Sequence, residues 1–213
     1  MKFNSYDAVK NFEKSLAKYT GAPYCVTVNS CTSALYLSYL AWIKENPTKT
    51  TVFIPDKTYR SVAIKAVQAG MTVNFYVTPW VGIYQIKPTN IWDCALRLAP
   101  NMYRKHTLQC LSFHPLKLLA CSTGGGAILH DNPSLDRWFR QMRFDGRDEN
   151  TPIQEDKIHC FGDHCYMFPC QASELHHKLD IYMMRHPQFA QDAPQLGYES
   201  ISKKWDKLWT QMN

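Results

Sequence analysis

The chain reads as an α/β protein, on three observations. Segments of helical periodicity alternate with short apolar segments that have the length and composition of strands. The segment Thr72 to Val77 alternates poorly between apolar and polar residues, as expected of a strand buried on both faces of a sheet. With 213 residues, 45% hydrophobic and 20% charged, the chain is long enough for one compact domain with a sizeable core.

The elements follow in order. Tyr6 to Tyr19 sets Val9, Phe12, Leu16 and Tyr19 on one helical face and meets a stop at Gly21. Tyr24 to Asn29 reads as a strand and leads through Ser30-Cys31-Thr32-Ser33 into an apolar helix running to about Ile43. Small hydroxyl residues at a helix start cap its unbonded amides. The same geometry suits an anion, because those amides and the positive end of the helix dipole favour a phosphate. Thr51 to Ile54 is the next strand, and Pro55-x-x-Thr58-Tyr59 opens a helix from about Ser61 to Gln68, closed by Gly70. Beyond Val77 the chain crosses from Thr78 to Asn90 without a clear element, then makes a very short strand, Ile91-Trp92, that ends in Asp93. A carboxylate just past the C-terminal end of a parallel strand lies where open α/β sheets bind ligands, and also where turns are made. Leu108 to Phe113 and Ala127 to His130 are strands, and Asn132 to Arg143 is a helix with Leu135, Phe139 and Met142 inward. A helix from Gln171 to about Arg185, a Pro-containing connector and a helix from about Ser200 to Met212 complete the chain. The division expected is a main unit over 1–185 and a short C-terminal part over 186–213.

Between Lys105 and Asp131 the only formally charged side chain is Lys117. An ammonium among Phe113, Leu116, Leu118 and Leu119 loses hydration, so its pKa falls and the neutral amine becomes accessible. That is what a lysine needs to form a Schiff base with an aldehyde or ketone. The competing reading is a loop lysine that snorkels to water between two core strands. Ser112 stands at the end of the preceding strand, where a hydroxyl can donate to a phosphate, and Gly124 to Gly126 let the backbone pass close to a bound group.

The net charge of +6 is scattered and calls for no nucleic acid. Met1-Lys2-Phe3-Asn4 lacks the apolar core of a signal peptide, and no apolar run approaches membrane-spanning length. Together with eight cysteines read as reduced thiols, this gives a cytoplasmic protein as the expectation. His159, Cys160, His164, Cys165, Cys170, His176 and His177 crowd together, but their spacing fits zinc poorly, and no metal is expected.

Ser112-Phe-His-x-x-Lys117 followed by a Gly-Gly-containing strand resembles the lysine segment of the DegT/DnrJ/EryC1/StrS family of pyridoxal-phosphate-dependent sugar aminotransferases. Four further segments, in the right order, resemble the same family. They are Ser30-Cys31-Thr32-Ser33-Ala34-Leu35, Pro55-x-x-Thr58-Tyr59, Asp93-Cys94-Ala95, and the run from Arg143 through Gly162-Asp-His164 to Gln171-Ala172. The resemblance implies a fold-type-I transferase large domain, a mainly parallel sheet with helices on both faces, and a much reduced C-terminal part. It implies that Lys117 carries the cofactor aldehyde and that Asp93, with Ala95 in the same motif, anchors the pyridine nitrogen. Tyr59 would cover the ring, although it can equally pack the helix start. Cys31, Thr32, Ser112 and a partner subunit's His164 would hold the phosphate in a homodimer. The implied substrates are an amino acid, glutamate first, and a nucleotide-linked keto sugar, with Arg60, Arg97 and Arg147 as anion contacts. Leu96 stands where the family usually has a hydrogen-bonding residue, and Tyr166 where it has arginine. These departures keep open a non-catalytic cofactor-binding or interaction module.

Overall fold

The computed structural model describes residues 6–185, 191–192 and 197–205. In chain order the first elements are α1 (Asp7–Thr20), β1 (Tyr24–Val28), α2 (Cys31–Glu45), β2 (Thr51–Pro55), α3 (Ser61–Gln68) and β3 (Thr72–Tyr76). Then come β4 (Tyr84–Ile86), β5 (Ile91–Asp93), β6 (Arg97–Leu98), β7 (Leu108–Ser112) and β8 (Gly126–His130). α4 (Pro133–Arg143), α5 (Pro169–Arg185) and β9 (Gln191–Asp192) follow. Residues 202–205 form a helical turn; the rest of the last predicted helix lies outside the described residues.

Five strands make the central sheet in the order β1-β8-β7-β5-β4. β5 and β7 are parallel, whereas β1–β8, β7–β8 and β4–β5 are antiparallel. β2 and β3 form a separate parallel pair. Reciprocal backbone hydrogen bonds between Phe53 and Lys87, 2.7 and 3.1 Å, tie that pair to β4.

The sheet is therefore mixed, which corrects the expectation of a mainly parallel one. A parallel return needs a crossover long enough to carry a helix. Neither the stretch 77–83 before β4 nor the loop 113–125 before β8 contains a helix, so β4 runs against β5 and β8 runs against both β1 and β7. β4 itself has no counterpart among the predicted elements. β3 also departs from expectation: among the described residues it pairs only with β2, and its own residues are exposed or half-buried, so its weak alternation marks an edge strand.

Helices do cover both faces. Alternate residues of the central strands divide between two apolar clusters. Val26, Cys110 and Ile128 pack with α2, α3 and α4, while Cys25, Leu111 and Leu129 pack with α1 and α5. On the second face α1 buries a carboxylate. Glu13 accepts hydrogen bonds from Arg143 Nη1 at 2.6 Å, Arg140 Nη1 at 2.7 Å and the Thr27 amide at 2.8 Å. Burial raises the Glu13 pKa, but the two guanidinium groups outweigh it and hold the carboxyl below its ordinary value. The strands β1, β2, β3, β5 and β7 share one direction, so their C-terminal ends open along a single edge of the sheet.

Candidate active site

Asp93, Ser112, the start of α2 and the loop carrying Lys117 all lie along that edge. Asp93 ends β5 and is 6% exposed. Its Oδ1 accepts from the Ala95 amide at 2.9 Å and its Oδ2 from the Tyr84 hydroxyl at 2.8 Å. That hydroxyl also meets Thr58 Oγ1 at 2.7 Å. Burial raises the Asp93 pKa, opposed by the Ala95 amide, the Tyr84 hydroxyl and the charge of Lys117. Neither Tyr84 nor Thr58 was assigned a role from sequence. Tyr84 faces Asp93 across an antiparallel register that only the unexpected β4 provides.

Lys117 follows β7 on a loop held at several points. Phe113 N–H donates to the Gly125 carbonyl and Cys121 N–H to the Phe113 carbonyl, both at 2.9 Å. Glu174 of α5 accepts from the Ser122 amide at 3.1 Å and from the Ser122 hydroxyl at 2.8 Å. Lys117 is half-buried. Burial lowers its pKa, partly opposed by the charges of Asp93 and Cys31, so the amine lies within electrostatic reach of both.

α2 starts beside them. Ser30 Oγ caps the helix by accepting from the Ser33 amide at 3.1 Å. The first strand residue of β8, Gly126, lies so close that a Cβ would run into the backbone of Ser30 and Cys31, and it pairs with Ser112 on its other side. This close approach, rather than a turn, is what requires glycine there, and it brings Ser112, Gly126 and the helix start into one cradle. Cys31 is half-buried there. Its thiol pKa is pushed well up by burial, then by Asp93, Cys110 and Cys94, against the effect of Lys117.

The remaining predicted residues are placed as follows. Thr32 Oγ1 is engaged with Ser61 Oγ of α3 at 3.0 Å. Tyr59, at 57% exposure, stands between β2 and α3, and its carbonyl accepts from the Val62 amide of α3 at 3.0 Å. His164 is exposed, and its Nδ1 lies 2.9 Å from Asp145 Oδ2. Its segment runs beside the end of β1, since Tyr166 bridges Val28 and the Asn29 amide donates to the Cys165 carbonyl at 2.8 Å. Leu96 is buried at 2% exposure and offers no polar group. Two of the three candidate anion contacts are already engaged: Arg97 forms a bidentate pair with Asp192, both contacts at 2.7 Å, and Arg147 Nε bonds Asp156 at 3.0 Å. Arg60 remains exposed, near Glu199. Among the described residues, no group of three or more His, Cys, Asp or Glu side chains is arranged to hold a metal ion.

A wider cleft between α1 and the start of β1 lies at the opposite end of the strands. Its buried polar groups, Glu13 and Arg140, are spent on each other.

The structure superposes on solved aminotransferases at low sequence identity. One from Brucella abortus, titled a DegT DnrJ EryC1 StrS aminotransferase, is 20% identical with a TM-score of 0.63, over 82% of this chain and 58% of that one. AtS13 from Actinomadura melliaura is 18% identical with a TM-score of 0.68, over 83% and 60%. Spr1654 from Streptococcus pneumoniae, described as a sugar aminotransferase in its PMP form, is 18% identical with a TM-score of 0.65, over 83% and 59%. The chain thus spans about three-fifths of the length of these structures. No curated protein sequence matches it. Residues 1–92 and 104–185 match one family throughout, and on that match the chain belongs to the DegT/DnrJ/EryC1/StrS aminotransferase family.

Proposed function

We propose that the chain transfers an amino group from an amino acid, glutamate first, to a nucleotide-linked keto sugar, with pyridoxal 5'-phosphate bound at the C-terminal ends of β5 and β7. The observation that carries this reading is the pairing of a half-buried lysine, lowered in pKa, with a buried carboxylate close enough to act on it. A carboxylate raised in pKa by burial is relieved by a neighbouring cation, so Asp93 suits a protonated pyridine nitrogen. The cradle of Ser112, Gly126 and the start of α2 suits a phosphate.

When bound, the cofactor supplies an aldehyde that condenses with amines and a ring that withdraws electrons from the carbon beside the nitrogen. The chain's own groups do the rest. Lys117 Nζ, uncharged at lower pH than an exposed lysine, takes the proton from the α-carbon of the amino donor. Asp93 holds a fixed negative charge in place, and Tyr84, donating to it and bonded to Thr58, fixes its orientation. The α2 amides and Ser112 would hold the phosphate, and Tyr59 would cover one face of the ring. A second copy of the chain completes the site in this reading and brings its His164 to the phosphate.

A non-catalytic cofactor-binding module is the second reading, favoured by the buried Leu96. Among the described residues no helix is long and apolar enough to cross a membrane.

The test is spectroscopic. Purified protein mixed with pyridoxal phosphate is expected to gain a near-visible band that borohydride removes and that Lys117→Ala lacks. Glutamate should shift the band and release 2-oxoglutarate. A bound cofactor inert to every amino donor would establish the second reading, and no band at all would refute both.

A further inference from the structure

The cleft between α1 and the start of β1 encloses about 500 Å³, room for a ligand of nucleotide size. Its lining carries four cations, Lys10, Lys14, Lys18 and Arg140, against two carboxylates, Glu13 and Glu149. Both carboxylates are already answered by guanidinium groups. Glu13 pairs with Arg140 at 2.7 Å and with Arg143 at 2.6 Å, and Glu149 pairs with Arg143 at 2.7 Å. The three lysines are left over. Among the described residues none of them has a carboxylate within ion-pairing distance, and the Lys10 ammonium donates to the neutral amide oxygen of Asn150 at 2.8 Å.

These lysines stand four apart on α1, so they share one face of the helix and repel one another at each step. No group among the described residues relieves that repulsion, and an anion held in the cleft does. At 1.5 Å per residue the three spread over about 12 Å of helix, more than one phosphate covers. The rest of the lining is of another kind. Ala22, Pro23 and Tyr24 give the cleft apolar surface, and the Tyr24 ring lies on the buried His130, with centres 5.4 Å apart and planes at 20°.

We propose that this cleft binds an organic polyphosphate of nucleotide size, with its phosphates along Lys10, Lys14 and Lys18 and its organic part against Pro23 and Tyr24. The assignment does not rest on the function proposed above, because the cleft lies at the opposite end of the strands from Lys117 and shares no residue with the candidate active site. Its bounded volume selects a small molecule, and its apolar surface selects one that carries more than bare phosphate.

The experiment titrates the protein calorimetrically with adenosine triphosphate and, separately, with inorganic triphosphate. Adenosine triphosphate is expected to bind, more weakly as salt is raised, and at least about tenfold more tightly than inorganic triphosphate. Lys14 and Lys18 are both exposed, so the double variant Lys14→Glu, Lys18→Glu keeps its fold. It should lose at least about tenfold in affinity. Lys105→Glu, at an exposed lysine away from the cleft, and Lys117→Ala should bind as the unaltered protein does. A second readout locates the ligand. Formaldehyde condenses with a lysine amine and releases water, and cyanoborohydride then adds hydride to the C=N bond, leaving an N-methyl group that peptide mass spectrometry counts. Adenosine triphosphate should slow this methylation at Lys14 and Lys18 but not at Lys105. No binding, or an equal loss in Lys105→Glu, overturns the proposal. So does inorganic triphosphate binding as tightly as the nucleotide. Affinity lost in Lys117→Ala but kept in the α1 double variant would place the nucleotide in the candidate active site and equally refute the cleft.

Discussion

Asp93 occupies a position that costs the fold something. Its pKa is raised by burial, so the folded state holds the proton more tightly than the unfolded state does. The charged form therefore subtracts from stability at neutral pH, and the cost disappears as pH falls through the folded value. Asp93→Asn is expected to stabilise the ligand-free protein at pH 7 by about 1 kcal/mol while weakening pyridoxal phosphate binding. Scanning calorimetry at pH 7 and in acid would show a gain that shrinks as the medium is acidified; a variant melting lower at pH 7 would contradict the assignment. The place of Asp93 at a strand end and of Lys117 as the one charge in an apolar loop was legible in the sequence, whereas the roles proposed for them came from the family resemblance. Tyr84 was not legible. A tyrosine is ordinary in a core, and what gives this one its place is Asp93 across a strand register that no local pattern encodes.

Helix α1 is tied to α4 and β1 by charge as much as by apolar packing. Glu13, Arg140 and Arg143 form one buried set, and Arg143 also donates to the Thr27 carbonyl at 2.6 Å and to Glu149 at 2.7 Å. Removing one member leaves the others unpaired in a medium that punishes bare charge. Glu13→Gln is expected to destabilise the protein by about 3 kcal/mol in urea unfolding. The Glu13 carboxyl is held below its ordinary value, so its contribution is fully present above the normal carboxylate range and is lost as pH falls through the folded pKa. The variant should accordingly show a shallower loss of stability on acidification, and an unchanged acid limb would assign that loss to other carboxylates. The helices were legible because a repeat of 3.6 residues spans many positions; α1, α3 and α4 appear almost to the residue. The bounds of β1, β2, β3, β5, β7 and β8 were as legible, each within a residue, but not the burial of β3 or the existence of β4. β3 differs from a buried strand only in what lies beside it, and β4, with three residues, is too short to carry a periodicity.

The single chain leaves apolar side chains in water, one of them next to Lys117. Phe161 is fully exposed, Phe168 is half exposed, and Leu116 is exposed on the loop that carries Lys117. A second copy of the chain is the partner proposed for this face. Sedimentation equilibrium is expected to return a dimer, and Leu116→Asp should weaken it at least about tenfold, the equivalent of 1.4 kcal/mol. A monomer at all concentrations would leave the phosphate without the contact assigned to His164. The directions of β4 and β8 could not be read in advance, because they depend on the two connections that precede them and not on the composition of either strand.

The seam between β1 and β8 also bears on how the protein comes into being. Among the described residues β1 pairs with no strand but β8, the last of the central sheet in chain order, with Tyr24 opposite His130. While the polypeptide emerges from the ribosome, that strand has no strand to pair with until about a hundred later residues have been made, and only Thr27 has a hydrogen-bonding partner in α1. Its sequestration in the meantime falls to α1 and α2, synthesised on either side of it, or to a chaperone, and closure of this seam is the natural late event in its biogenesis.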